Sequence, residues 1–392
     1  MERIGIQLHS RPMAGAAAGA AMAAILGPLA PDWALLAFCA LLIPVSVFLF
    51  KRRSAFFLLP FALFFVLVRI VLLPDRLPEL PFLNRLRESL AANVDALFSD
   101  RAAAARGILL GDRSAMEAEE AARYASAGLL HLFAVSGLHV MLLVGAFERL
   151  VRCEKRWLTF AAVSLFCLFL CAVTRFSASV LRAAFMLLGI RLTRLKERQV
   201  DRVSVLCFAM AMTLLCDPSG IRSVGFQMSF AAAGGMALFA KSMRNPLKKR
   251  FPNSRIVTAL TSATAAVIGM LPVQAHLFGS LAWVSVPLSI LLIPTMPVIL
   301  LCGFSAVLLY GLAPHVARVL AYPAYGAMQL LHLVTETLDV PLLRLPRPHP
   351  AAIALYFVAL VFCSRLYLPN AKRPPWIGLA LLTVSVVLWF VL

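Results

Sequence analysis

Three polar clusters interrupt an otherwise apolar sequence. The first is His131-Leu132-Phe133-Ala134-Val135-Ser136-Gly137-Leu138-His139-Val140. Val-Ser-Gly inside an apolar run weakens a helix at that point. The freed amides would then face an anion as the start of a second half-helix. A Ser-Gly notch for close helix packing, with two hydrogen-bonded histidines, accounts for the same residues. The second cluster is Arg182 within Ser177-Ala178-Ser179-Val180-Leu181-Arg182-Ala183-Ala184. A guanidinium in such a run faces a cavity or partner, or stretches toward the membrane interface. The third is Gly225-Phe226-Gln227-Met228-Ser229-Phe230, where Gln227 and Ser229 either line a polar path or bond neighbouring helices.

These clusters suit binding better than catalysis. His131 and His139 lack an evident third metal ligand. Ser136 stands in Val-Ser-Gly-Leu-His, without the leading glycine of a nucleophile elbow. Neither a phosphate-binding loop nor an HExxH pattern is present. The expectation is no catalytic residue, no metal and no cofactor. An intramembrane hydrolase using Ser136 or the histidines stays open as a lesser reading.

The elements that position these residues follow from composition. Of 392 residues, 61% are hydrophobic and 14% charged, and mean hydropathy is +0.88. Soluble domains are about 45–50% apolar and about 25% charged, so a water-soluble enzyme is excluded. With about 20 residues per spanning helix, the expected fold is all-α: a polytopic helical membrane protein of about 11–13 transmembrane helices, some broken or re-entrant. Apolar runs fall at 13–30, 33–50, 54–73, 128–147, 157–174, 177–190, 203–216, 224–240, 256–278, 281–294, 297–312, 351–364 and 375–392. Pro294 and Pro297 divide two of them, as one broken helix or a hairpin. The stretch 315–337 reads as a span or a surface helix. All 18 acids lie in loops or at run ends, whereas coupled carriers place a carboxylate at mid-membrane.

The net charge of +19 is explained by topology. With a cytoplasmic N-terminus, the inside loops carry twenty Lys or Arg, and the short outside connections carry Arg175 and Arg222. One outside segment, 74–127, is longer, with seven Arg and nine acids. Leu83, Leu86, Leu90, Val94 and Leu97 recur there at helical spacing, predicting an amphipathic helix on the outer leaflet. Ser114 and Glu117 have capping-box spacing for a second helix. The organisation read from this is an N-terminal three-span region at 1–73, the extracytoplasmic helical segment 74–127, a membrane core at 128–312 and a C-terminal membrane region at 313–392.

Gly107-Ile108-Leu109-Leu110-Gly111-Asp112-Arg113, then Gly128-Leu129-Leu130 running into the His131–Val140 cluster, strongly resembles the competence core of the ComEC/Rec2 family. Ser179-Val180-Leu181-Arg182-Ala183, and Asp217-Pro218 followed by Gly225–Phe230, resemble its later motifs. Ser289 stands where the resemblance leads one to expect Asn. The resemblance implies a multi-pass channel in the inner (cytoplasmic) membrane that passes single-stranded DNA during natural transformation. His131, Ser136, Gly137, His139, Arg182, Gln227 and Ser229 would line its path. The partners implied are the lipid bilayer, a cytoplasmic ATPase or helicase and an extracytoplasmic DNA receptor, with room for a separate nuclease and for homo-oligomers. Segment 74–127 is too short for the OB-like domain of full-length members, and no His-x-His-x-Asp-His signature of their metallo-β-lactamase-like domain occurs. The expectation is a stand-alone channel core. A diverged transporter or subunit for another anionic polymer or lipid is the alternative.

Overall fold

The computed structural model describes residues 12–26, 81–133, 135–197, 199–251, 254–281, 284, 288, 291–337, 343–363 and 376–391. The runs read at 33–50 and 54–73 lie outside the described residues, as does Ser289. The fold is all-α: among the described residues the strands Ser280–Leu281 and Leu343–Arg344 are two residues each. Among the described residues two helices, Arg156–Val173 and Ile256–Phe278, are long and apolar enough to cross a membrane, and shorter apolar helices accompany them.

The chain divides into two compact units, each assembled from separated stretches. One takes Met1–Leu77, Arg198–Ser280 and Arg344–Leu392; the other takes Pro78–Glu197 and Leu281–Leu343. Helix α1 (Pro12–Leu26) belongs to the first. The second then supplies α2 (Pro81–Phe98), α3 (Ala102–Leu110), α4 (Ala118–Ser126), α5 (Gly137–Leu150), α6 (Arg156–Val173) and α7 (Ala178–Leu195). Helices α8 (Arg202–Cys216), α9 (Val224–Arg250) and α10 (Arg255–Phe278) return to the first unit. Helices α11 (Met296–Leu309) and α12 (Pro314–Thr337) belong to the second, and α13 (Pro350–Cys363) and α14 (Trp376–Val391) to the first.

In the first unit, caps set the helix starts. Asp201 accepts from the Ser204 amide, Ser223 from Phe226 and Ser254 from Val257, each satisfying an orphan donor of the first turn. Helices α9 and α10 meet through small residues four apart, Ala231 and Gly235 against Ala265 and Gly269. A Cβ on Gly235 would clash with the Ala265 carbonyl oxygen, and one on Gly269 with that of Ala231. Glycine therefore lets the two backbones touch. Tyr356 Oη donates to the Ile268 carbonyl at 2.8 Å, and Ser385 Oγ to that of Ala352 at 2.9 Å.

In the second unit, Leu90, Val94 and Phe98 form the buried stripe of α2, one turn apart. Of the residues read as an amphipathic stripe, Leu90 and Val94 are buried within the protein, while Leu83, Leu86 and Leu97 are half-buried. Helix α2 packs against α3, α6, α11 and α12, and Asn93 Nδ2 donates to the Val307 carbonyl at 3.1 Å. The Ser114–Glu117 capping box also fails to form. Asp112 Oδ1 takes both the amide and the hydroxyl of Ser114, so α4 begins at Ala118 with Glu119 and Glu120 in its first turn.

Around Pro294 and Pro297 the chain makes no hairpin. A 3₁₀ turn, Ile293–Thr295, leads directly into α11, whose Ile299–Gly303 segment is π-helical. Ala substitution at Gly235 or Gly269 should drive a methyl into backbone and cost about 3 kcal/mol or more. Thermal melting of the purified variants checks this; wild-type melting temperatures would mean that the crossing is looser than described.

Candidate functional site

The site grows from the contact between the first two sequence motifs. Helix α3 ends on Gly111, whose φ of 76° is left-handed and strains any residue with a Cβ. The Gly107 and Gly111 positions leave room for the second motif. A Cβ on Gly107 would stand 3.0 Å from Phe133 Cδ1, and one on Gly111 3.1 Å from Val135 Cγ2. Phe133 is fully buried, its ring 4.2 Å from that of Tyr124. Burial pushes the Tyr124 hydroxyl up to about 12, with the Glu120 charge adding to it.

This packing forces an irregular path. After α4 the chain turns at Gly128 with φ of 70°, makes a 3₁₀ turn over Leu130–Phe133, and reaches Ser136 in extended conformation. The apolar run at 128–147 is thus helical only from Gly137 onward. Its first part is a turn anchored by Phe133, because a continuous helix would carry Phe133 and Val135 off the glycine surface of α3.

Ser136 caps α5. Its amide donates to His139 Nδ1 at 3.2 Å, and its Oγ lies 2.9 Å from the same nitrogen. His139 is 1% exposed, so the imidazole fills the place of the Glu or Gln in an ordinary capping box. The Ser-His proximity has the geometry of a helix cap, since Nδ1 also accepts the Ser136 amide.

Arg182 lies in the second turn of α7. Its Nη2 approaches to 3.1 Å from where a Cβ on Gly137 would stand, and its Nη1 is 3.5 Å from Met186 Sδ. At the other end of the same helix pair, Arg191 Nε donates to Glu148 Oε1 at 3.3 Å. The N-terminal dipole of α5 and a guanidinium therefore converge on one spot, where both favour an anion.

The structure brings Ser136, Gly137, His139 and Arg182 together. His131 sits in the 3₁₀ turn that precedes them. Gln227 and Ser229 lie on α9, in the other unit. Gln227 Nε2 donates to the Ile221 carbonyl at 3.2 Å, closing the turn that begins at Asp217, whose Oδ1 accepts from Ser219 Oγ and the Gly220 amide.

Comparison with known proteins places this geometry. The family model described as Competence protein matches residues 108–369. The chain belongs to this family. Within the family, ComE operon protein 3 of Bacillus subtilis (strain 168) is 30% identical over 260 residues, 64% of this chain and 32% of that protein. The chain spans about a third of the length of this relative. No solved structure matches. The family match begins at Ile108, inside the glycine motif of α3, and takes in the Ser136–Arg182 site.

One charged feature was not read from sequence. Arg87 of α2, Asp112 after α3 and Arg175 after α6 share a cleft. The Asp112 carboxyl is raised by its burial, but hydrogen bonds from Ser114 and the charges of Arg175 and Arg106 outweigh this and hold it below its ordinary value.

Replacing Gly111 with Ala should destabilise the second unit by about 1–2 kcal/mol, the cost of a left-handed non-glycine residue. Part of the loss beyond that strain is expected to return in the Gly111→Ala, Val135→Ala double variant. A double-mutant cycle of thermal melts reads the coupling; strictly additive effects would show that the two motifs do not press on one another.

Proposed function

We propose that the chain is the channel core through which single-stranded DNA crosses the cytoplasmic membrane during natural transformation. The observation that carries this reading is the Arg182 guanidinium set against the start of α5 at Gly137. A DNA strand bears one negative charge per nucleotide, so a path for it needs donors that hold a phosphate without trapping it. A helix start and one guanidinium meet that requirement; a nest of buried Lys and Arg would not. Family membership and the matched relative, named for the ComE operon, support the same reading.

In this reading the chain is a polytopic membrane protein. Its N-terminus and the loops 148–156, 191–202 and 241–255 are cytoplasmic, and 74–127 is outside. Support comes from the composition and from twenty basic residues on one set of loops. The chain itself performs no chemistry. A cytoplasmic ATPase or helicase draws the strand inward, an extracytoplasmic receptor presents it, and a separate nuclease removes its complement.

Arg182→Ala should lower transformation frequency by about tenfold or more, the effect of losing one hydrogen-bonded charge, with membrane levels of the protein near normal. Unchanged transformation would make Arg182 a packing residue, and a deletion strain with normal transformation would exclude DNA uptake altogether. Topology is tested separately in intact cells with a membrane-impermeant thiol reagent. Glu119→Cys should label and Arg250→Cys should not; the reverse pattern inverts the orientation.

A further inference from the structure

Outside the Ser136–Arg182 site, one cleft in the second unit collects unlike charges. It holds about 130 Å³ and is lined by Arg87, Leu110, Gly111, Asp112, Thr174 and Arg175, among others. A phosphate group is small enough to enter it.

Each lining charge is set by the fold. Arg87 Nε and Nη2 donate to the Ala172 carbonyl at 2.9 and 2.6 Å, and Nη1 donates to Asn84 Oδ1 at 2.9 Å. Its charge therefore stays at the cleft wall. Arg175 is exposed at the cleft and attracts Asp112 through space. Arg175 and Phe176 both have φ of 53°, a left-handed pair costing about 1–3 kcal/mol per residue. The turn is held by the Phe176 amide on the Cys171 carbonyl at 2.7 Å and the Ser177 amide on that of Thr174 at 3.1 Å. The fold thus sustains a strained backbone in the segment that places Arg175 at the cleft. Asp112 is pinned by Ser114 beside the left-handed Gly111.

We propose that this cleft is a phosphodiester site for the incoming strand, with Arg87 and Arg175 attracting one phosphate and Asp112 preventing its retention. The inference rests on the uptake reading and deepens it by naming where the strand first meets the core. Charge alternation puts 74–127 and Arg175 on the same, outer side, and the fold brings Arg87, Asp112 and Arg175 into one cleft. Two guanidiniums alone would hold a phosphate tightly. A carboxylate within the field of Arg175 makes each stay short, as a moving strand requires.

The test uses the full chain in nanodiscs of phosphatidylcholine and a fluorescent oligothymidylate. Arg175→Gln should weaken binding about fivefold to tenfold and reduce the slope of log affinity against log salt by about 0.7. Asp112→Asn should tighten binding by a similar factor, a gain that misfolding cannot produce. Wild-type affinity and slope in Arg175→Gln, or weaker binding in Asp112→Asn, overturns the proposal.

A second arm uses phosphatidylglycerol nanodiscs and native mass spectrometry. Retention of that lipid dependent on Arg175, with oligothymidylate binding indifferent to Arg175→Gln, makes the cleft a headgroup site and overturns strand binding. The uptake reading fails on different evidence, a deletion strain that transforms normally. Arg175-dependent oligothymidylate binding would stand in that case.

Discussion

A helix interrupted in apolar surroundings must satisfy the polar groups that the interruption frees, and the break before Gly137 does so within four residues. Ser136 gives its amide to His139 and sets its hydroxyl against the same imidazole. Unpaired, that buried amide would cost about 1–3 kcal/mol. His139 is therefore as structural as it is polar. Once the break is paid for in this way, the start of α5 can stand beside a guanidinium without help from solvent.

The break is also directed. Phe133 and Val135 lie against Gly107 and Gly111, so the chain leaves α4, packs on α3, and only then enters α5. The far ends of α5 and α7 are tied by Glu148 and Arg191, which leaves the near ends to bring Gly137 and Arg182 together. Gly303 of α11 comes against Leu109 in the same glycine motif; a Cβ there would stand 3.2 Å from Leu109 Cδ2. One short glycine helix thus sets the position of the break and seats the π-helical segment of α11.

Much of this was legible because helices in apolar proteins announce themselves. The runs at 157–174, 203–216 and 256–278 became α6, α8 and α10 within a residue or two, since caps at Asp201 and Ser254 and the glycine at 279 mark their ends. The Val-Ser-Gly break was legible from residue type. Its cause was not, because the contact of Gly107 with Phe133 joins residues 26 apart in sequence. The stripe on α2 was legible as a stripe, but not that protein covers Leu90 and Val94: periodicity tells which face is apolar, not whether protein or lipid covers it. The capping box at Ser114 failed for a local reason, the competition of Asp112 for the same serine. The Arg87–Asp112–Arg175 cleft was illegible, since its members come from a helix and two connections far apart in sequence, and the motif that contains Asp112 says nothing of the two arginines. The small-residue pairs of α9 and α10 were legible in principle, as Ala231, Gly235, Ala265 and Gly269 at spacings of four, and were passed over among many alanines.

The two cationic positions share an origin that bears on transport. Arg175 and Arg182 flank the start of α7, one in the strained turn before it and one in its second turn. At about 1.5 Å of rise per helical residue, Arg182 lies about 6 Å along the helix from its start at Ala178, with Arg175 in the turn before that start. A strand passing along that direction would meet the two positions in succession, each with a different partner. Asp112 opposes retention at the first. At the second, the helix start of α5 adds attraction without a second formal charge, and Gly137 leaves the approach open. The first position sets its two cations, Arg87 and Arg175, against a carboxylate, and the second holds one cation at a helix start, so neither is a trap. Under the proposed uptake reading, such charges would only lower the barrier to passage and would give it no direction. The free energy for one-way passage would then have to enter from whatever draws the strand on the cytoplasmic side.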